Sequence, residues 1–352
     1  MRIKKNNSQF ILRNRLCLYP RRRGGKQLMQ DNILTIVIPC FNEQEVLPET
    51  VKELGNILKG LIQQEKISSN SKLLFVNDGS RDRTWQLISK YTGEYSYVTG
   101  IKFSRNYGHQ NALLAGMTVA VKYSDMIITI DADLQDDVTA IPKMVDKYLE
   151  GYDVVYGVRN SRETDTFFKR RTALAFYSLM RKLGVNLVPD SADYRLLSKR
   201  ATEGLLAFKE RNLFLRGMVP LVGYKSAKVY YARKERFAGK SKYPISKMLH
   251  FALDGVTSFS IAPIHLILYL GLITVLISII CMIYTIIEKC LGHVVSGWSS
   301  LMISIWLLGG IQLISISVIG EYIGKIFSEV KRRPRYTIES ETFTQKMANS
   351  EL

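Results

Sequence analysis

The sequence predicts an α/β domain built on a mainly parallel sheet and followed by two membrane-spanning helices. Between residues 32 and 157, short runs rich in β-branched and aliphatic residues alternate with helix-length segments, the pattern of right-handed βαβ crossovers. Near the C-terminus, residues 261–287 and 298–320 contain no Asp, Glu, Lys or Arg. These stretches of 27 and 23 residues each exceed the roughly 20 needed to cross hydrocarbon. At 352 residues the chain has room for one α/β domain of roughly 200 to 250 residues and a smaller appendage.

Taken in chain order, residues 1–30 are expected to be a basic extension, disordered or not translated natively, with Met29 as the native start. Nine basic residues and no acid precede Leu28, and no continuous apolar stretch marks a signal peptide. The main domain is assigned to 31–243, with strands expected near 34–38, 73–76, 98–103, 126–130 and 154–156. Residues 167–183 combine Lys169, Arg170 and Arg171 with Phe167, Phe168, Phe176 and Tyr177. That composition suits a helix lying in a membrane interface, the alternative being an ordinary amphipathic helix packed on the sheet. A second such segment, assigned to 244–260, precedes a two-helix unit at 261–325 and a tail at 326–352. Lys240, Lys242 and Lys247 precede the first span and Lys325, Lys331, Arg332, Arg333 and Arg335 follow the second, whereas the loop between them holds only Lys289. The excess of positive flanks predicts a multi-pass protein of the cell membrane with its main domain and both termini cytoplasmic.

The net charge of +18 fits nucleic acid, an anionic membrane or a phosphorylated substrate. Because the basic residues flank the spans or the proposed site, the membrane and the substrate are favoured and no nucleic-acid partner is expected. Cys17, Cys40, Cys281 and Cys290 show no metal-ligand spacing and are given no chemistry.

In a parallel sheet, ligands bind at the carboxyl ends of the strands, and here those ends carry the polar motifs. Asp131-Ala132-Asp133-Leu134-Gln135-Asp136-Asp137 crowds carboxylates after an apolar strand, a cost that a divalent cation offsets. Oxygen ligands suit Mg²⁺ or Mn²⁺, which bridge the phosphates of a nucleotide. Asp78-Gly79-Ser80 suits a nucleoside, and reads equally as a turn and helix cap. Pro39 to Glu43 is ambiguous in the same way, with Phe41 offering a stacking face. The absence of a P-loop lysine and of a GxGxxG pattern argues against ATPase and dinucleotide-binding classes. Arg159, the cluster Lys169, Arg170 and Arg171, and the segment from Arg233 to Lys242 match phosphate oxygens or lipid head groups. His109 reads as a helix-start or structural residue.

The ordered set I-V-I-P-C-F-N-E, V-N-D-G-S-R-D-R-T, F-S-R-N-Y-G-H-Q-N-A, D-A-D-L-Q-D, A-D-Y-R-L, R-N-L-F-L-R-G and R-F-A-G-K-S-K-Y, then two spans and G-E-Y-I-G-K, resembles the family-2 polyprenyl-phosphate glycosyltransferases. It is most similar to the bactoprenol glucosyltransferases and more distantly resembles dolichyl-phosphate mannose synthases. The resemblance implies a GT-A catalytic domain, a Rossmann-like mainly parallel sheet, with a C-terminal two-helix transmembrane hairpin and interfacial amphipathic helices. It further implies that Pro39, Phe41, Glu43 and Asp78 hold the nucleoside and that Asp131, Asp133 and Gln135 organise metal and diphosphate. Arg159 with Arg170 or Arg171 would meet the lipid phosphate, while Arg236, Ser241 and Lys242 close over the donor. Two positions depart from the family pattern: Phe41 replaces a frequent Tyr, and Asp137 a usual Pro.

The resemblance makes UDP-glucose the first expected donor and UDP-N-acetylglucosamine the second, with undecaprenyl phosphate as acceptor. It also allows a homo-oligomer formed through the membrane helices. Such an acceptor is largely a dianion at neutral pH, its second pKa being about 6, so it needs no general base and attacks in one inverting displacement. The rival classes are a processive polysaccharide synthase, whose Q-x-x-R-W motif is missing here, and a non-catalytic sugar-nucleotide sensor.

Overall fold

The computed structural model describes residues 32–160, 188–211, 213–232, 262–291 and 297–348. Five buried runs become β1 (Leu34–Cys40), β2 (Lys72–Asn77), β3 (Val98–Phe103), β4 (Met126–Thr129) and β5 (Val154–Arg159). Between them lie α1 (Leu47–Gln63), α2 (Thr84–Glu94), α3 (His109–Ala120) and α4 (Ala140–Leu149). The spacing of Leu47, Val51, Leu54, Leu58 and Leu61 gives α1 one apolar stripe, and a proline in its first turn fixes its start.

Three further strands, β6 (Ser191–Ser198), β7 (Ser226–Tyr231) and β8 (Ile338–Glu341), extend the sheet beyond the sequence expectation. The eight strands lie in the order β7-β5-β6-β4-β1-β2-β3-β8. β6 runs antiparallel to β4 and β5, and β8 antiparallel to β3, while the other pairings are parallel. The sheet is thus mainly parallel, and its connection order reverses between β1 and β4, where such folds open a ligand crevice.

Both faces of the sheet are covered, so alternate residues of one strand enter different cores. Ile36, Ile38, Phe75 and Ile128 pack against α1 and α4. Val37, Leu74, Val76 and Ile127 pack against α3 and against two later helices, α5 (Lys199–Leu206) and α6 (Leu215–Leu221). Gly116 lets α3 approach closely: a Cβ there would lie 2.3 Å from Val37 Cγ1.

Two long helices follow, α7 (Ala262–Cys290) and α8 (Trp298–Val330), which touch one another. Among the described residues, Leu307–Val330 is the stretch long and apolar enough to cross a membrane, with mean hydropathy 1.5. It lies further along α8 than the 298–320 expected from sequence. The expected interfacial segments at 167–183 and 244–260 lie outside the described residues.

After α8 the chain returns to the sheet. β8 pairs with the outer edge of β3, and the short helix α9 (Phe343–Ala348) buries Phe343 and Met347 in the core beside α3. Tyr336 stacks on Phe103 with ring centroids 5.2 Å apart, and Glu329 Oε1, at the end of α8, accepts from Arg211 N at 2.6 Å. Arg335 donates to the carbonyls of Phe208 and Glu210. The foot of α8 is therefore fastened to the catalytic domain, with Tyr336 seated at the carboxyl end of β3.

Candidate active site

The loops after β1 and β2 are braced together by side chains that satisfy each other's backbone. Asn42 N donates to Ser80 Oγ and Glu43 N to Thr84 Oγ1, while Asn42 Oδ1 accepts from Arg81 N and Gln44 Oε1 from Arg83 N. Phe41, 37% exposed, stands on this brace with an open ring face. Asp78, at the end of β2, is buried and accepts from Tyr107 N at 2.6 Å and Gly108 N at 3.0 Å. Burial pushes its carboxyl upward, and the two backbone donors pull against that. Gly79 has φ +64, and a Cβ would strike the backbone of Arg105 at 2.4 Å, so this turn requires glycine to bring the loop after β3 alongside. Each Asp78 oxygen thus fixes that loop and keeps a second lone pair.

The carboxylate loop after β4 is held from three sides. Thr50 Oγ1, buried on α1, donates to Ala132 O at 2.8 Å, and Tyr194 Oη donates to Asp137 O at 3.1 Å. Leu134 adopts φ +54, turning the chain between Asp133 and Gln135. Asp137 accepts from Thr139 N and Oγ1 at the start of α4, a local turn that serves where proline is usual. Asp136 points inward: its Oδ1 accepts from Tyr231 Oη at 2.5 Å and Arg159 Nη2 at 3.1 Å. Asp131 differs from it. The side chain is 39% exposed, and its buried Oδ1 makes no hydrogen bond but lies 3.5 Å from His109 Nε2. Burial pushes its pKa to about 6, with Asp136, Asp193 and Asp133 adding repulsion and His109 opposing them.

A second carboxylate sits where β6 begins. Asp193 accepts from Arg195, and from Arg216 Nη2 at 3.2 Å and Nε at 3.4 Å. His109, the first residue of α3, lies with Nε2 3.5 Å from Asp131 and 3.7 Å from Asp193. Burial alone would lower its pKa, but those two carboxylates outweigh it and raise it to about 9, so the ring is an imidazolium at neutral pH. Burial penalises Asp193 too, yet Arg216, His109 and Arg195 hold it far below the usual carboxylate range.

The glycosyl transferase family 2 model matches residues 35–206. The glycosyltransferase YkoT of Bacillus subtilis, itself uncharacterized, is 55% identical over 90% of this chain and 94% of its own length. The bactoprenol glucosyl transferase of Shigella phage SfII is 39% identical over 87% of this chain and 97% of its own. The chain belongs to glycosyltransferase family 2. Among solved structures, glucosyl-3-phosphoglycerate synthase from Mycobacterium tuberculosis is similar at TM-score 0.45 and 15% identity, covering 68% of this chain and 84% of that one.

In this glycosyltransferase Pro39, Phe41 and Glu43 lie at and just after the end of β1, Asp78 follows β2, Asp131, Asp133 and Gln135 follow β4, and Arg159 ends β5. Lys169, Arg170, Arg171, Arg236, Ser241 and Lys242 lie outside the described residues. Sequence reasoning gave no role to Asp193, Arg195 or Arg216, although they lie in the quoted A-D-Y-R-L and R-N-L-F-L-R-G motifs. It left His109 as a helix start, a position that it does occupy beside both carboxylates. It grouped Asp136 with the cation-seeking carboxylates, whereas Arg159 pairs with it and Tyr231 donates a hydrogen bond to it.

The donor set fits a divalent cation. Asp131 Oδ1 makes no hydrogen bond and has only the His109 ring 3.5 Å away, and among the described residues no three of His, Cys, Asp or Glu group closely enough to hold a metal alone. One or two carboxylates completed by substrate phosphates and water is the usual way in which Mg²⁺ is bound. Such a cation competes with the Asp131 proton, so Mn²⁺ affinity is expected to fall by about tenfold per pH unit below about 6 and to be flat above pH 7. Titration calorimetry from pH 4.5 to 8 measures it, and a flat profile throughout would remove Asp131 from the ligand set.

Proposed function

We propose that this enzyme transfers glucose from UDP-glucose to undecaprenyl phosphate at the cytoplasmic membrane face, inverting the anomeric configuration. One observation carries the choice of acceptor: Arg159, gripped by the buried Asp136 and itself 32% exposed, offers a guanidinium to an anionic acceptor, whereas Asp193, paired with Arg195 and Arg216, is poorly suited to take a proton. A hydroxyl acceptor needs that proton removed, and a phosphate dianion does not. The name of the 39% identical phage relative supports the same acceptor and sugar.

In this reading Phe41 stacks on the uracil, and Asp78 shapes the loop beneath it. Asp131, Asp133 and Gln135 would hold a divalent cation, which when bound neutralises charge developing on the leaving diphosphate. Arg159, fixed by Asp136, faces the acceptor phosphate and offsets its repulsion from the donor. Arg170 or Arg171 would add to it, and Arg236, Ser241 and Lys242 would close over the donor.

The return of β8 to the sheet bears on topology. Residue 232 and residue 336 both adjoin the same domain, so the chain between them crosses the membrane an even number of times or not at all. If α8 spans, an even count needs a second crossing, and α7, at about 1.5 Å per residue, is long enough to supply it. The Tyr336 and Glu329 contacts then bring the domain against the membrane.

The deciding experiment is transfer of radiolabelled glucose from UDP-glucose to undecaprenyl phosphate by the purified enzyme, with Mn²⁺ or with EDTA. Metal-dependent labelled lipid with a β-linkage is expected. Transfer to a free hydroxyl acceptor instead, or an α-linked product, would contradict the reading.

A further inference from the structure

Arg216 was given no part in the reaction above, yet its surroundings are built around it. Its backbone neighbour Leu215 is clamped on both sides: Leu215 N donates to Gln110 Oε1 at 3.0 Å, and Leu215 O accepts from Arg195 Nη1 at 3.3 Å. Arg195 is buried and also bonds Asp193 and Ala192 O, so the start of α6 is fastened to β6 and to α3 together. The Arg216 guanidinium lays Nε and Nη2 along the Asp193 carboxylate and leaves Nη1 without a partner among the described residues. Its side chain is 40% exposed while that of Asp193 is 13% exposed, so the fork is gripped from behind and open in front.

Arg159 is mounted in the same way. It reaches from the end of β5, gripped by the buried Asp136, with its own side chain 32% exposed. His109 ties the two ends together, its Nε2 lying 3.5 Å from Asp131 in the carboxylate loop that also carries Asp136 and 3.7 Å from Asp193, the partner of Arg216. Two guanidiniums, each gripped by a largely buried aspartate and each partly exposed beside one carboxylate loop, suit an oxyanion. An interaction with solvent alone would need neither the clamped backbone nor the buried aspartate.

We propose that Arg216 is a second phosphate-contacting residue, paired with Arg159 on the acceptor phosphate and oriented by Asp193. This rests on the acceptor being a polyprenyl phosphate. The test therefore measures binding as well as turnover. Wild type, Arg216→Gln and Arg216→Lys are compared for glucose transfer, for binding to vesicles containing undecaprenyl phosphate, and for binding of UDP with Mn²⁺. Arg216→Gln is expected to raise the acceptor KM about 10- to 100-fold and weaken vesicle binding alike, leaving UDP affinity unchanged; the lysine variant, keeping charge without the fork, falls between.

Weakened UDP binding with an unchanged acceptor KM would assign Arg216 to the donor and overturn the proposal, as would no change in either. If the glutamine variant does not fold, the lysine variant decides by the same split. A wild type that binds the lipid phosphate but transfers no glucose would refute the donor assignment alone, with Arg216 still read from binding. A wild type that neither binds nor transfers would overturn both.

Discussion

Replacement of Asp131 by asparagine is expected to lower sugar transfer by at least about 10³-fold while raising the thermal midpoint of the metal-free enzyme at pH 7.5. The two effects share one cause. Asp131 lies just past β4 with Oδ1 making no hydrogen bond, and burial together with Asp136, Asp193 and Asp133 outweighs the attraction of His109 3.5 Å away. Its pKa is raised to about 6, so the folded protein disfavours the charged form that predominates at neutral pH. The sign is therefore fixed: above its ordinary value near 4 this carboxylate subtracts from stability, and the subtraction is complete once pH exceeds about 6. Asparagine keeps the shape and removes the charge, so the metal-free fold gains while the cation loses a ligand. Addition of Mn²⁺ should raise the midpoint of the wild type and leave that of the variant in place. A variant that melts below the metal-free wild type would show that Asp131 is a structural group whose loss abolishes activity by unfolding.

The parts legible in the sequence are those whose physics is local. A strand buried on both faces must be a run of aliphatic residues, so β1 to β5 were readable to within a few positions. β8 reads Ile-Glu-Ser-Glu because an edge strand faces solvent, and nothing in those four residues announces a partner more than 200 positions earlier. The same division runs through the site. Carboxylates crowded after β4 predict a cation from their spacing alone, but which of them turns inward is decided by Arg159 and Tyr231, 23 and 95 residues away. Asp193 and Arg216 stood in quoted motifs, yet their pairing exists only because α6 folds back over the start of β6. Asp78 reads as an acceptor, but the loop it also holds, at Tyr107 and Gly108, lies 29 and 30 residues away and is invisible in its own motif.

Phe343→Ala is expected to cost about 3–5 kcal/mol, the usual range for emptying a buried phenylalanine site. Phe343 is fully buried, edge-on to Tyr123 at 6.0 Å, and Met347 is buried one turn further on. Thr342 exchanges hydrogen bonds with both backbone groups of Gly100, and Lys346 Nζ donates to the carbonyls of Thr92, Tyr95 and Val98. Because α9 is only 6 residues long, it has little stability apart from this docking, and losing its anchor should release β8 as well. For a domain of this size the thermal midpoint falls by about 2–4 °C per kcal/mol, hence roughly 10 °C at a fixed scan rate. The consequence reaches the site, since Thr337 O accepts from Ser104 N and Tyr336 stacks on Phe103 just before the loop that Asp78 holds. Activity should therefore decay at a lower temperature than that at which the rest of the sheet melts, which parallel activity and circular-dichroism scans would separate. Thr344→Ala, at an exposed position on the same helix, is the control and should move neither curve. Equal stability of Phe343→Ala and wild type would mean that the C-terminal segment does not dock on this sheet.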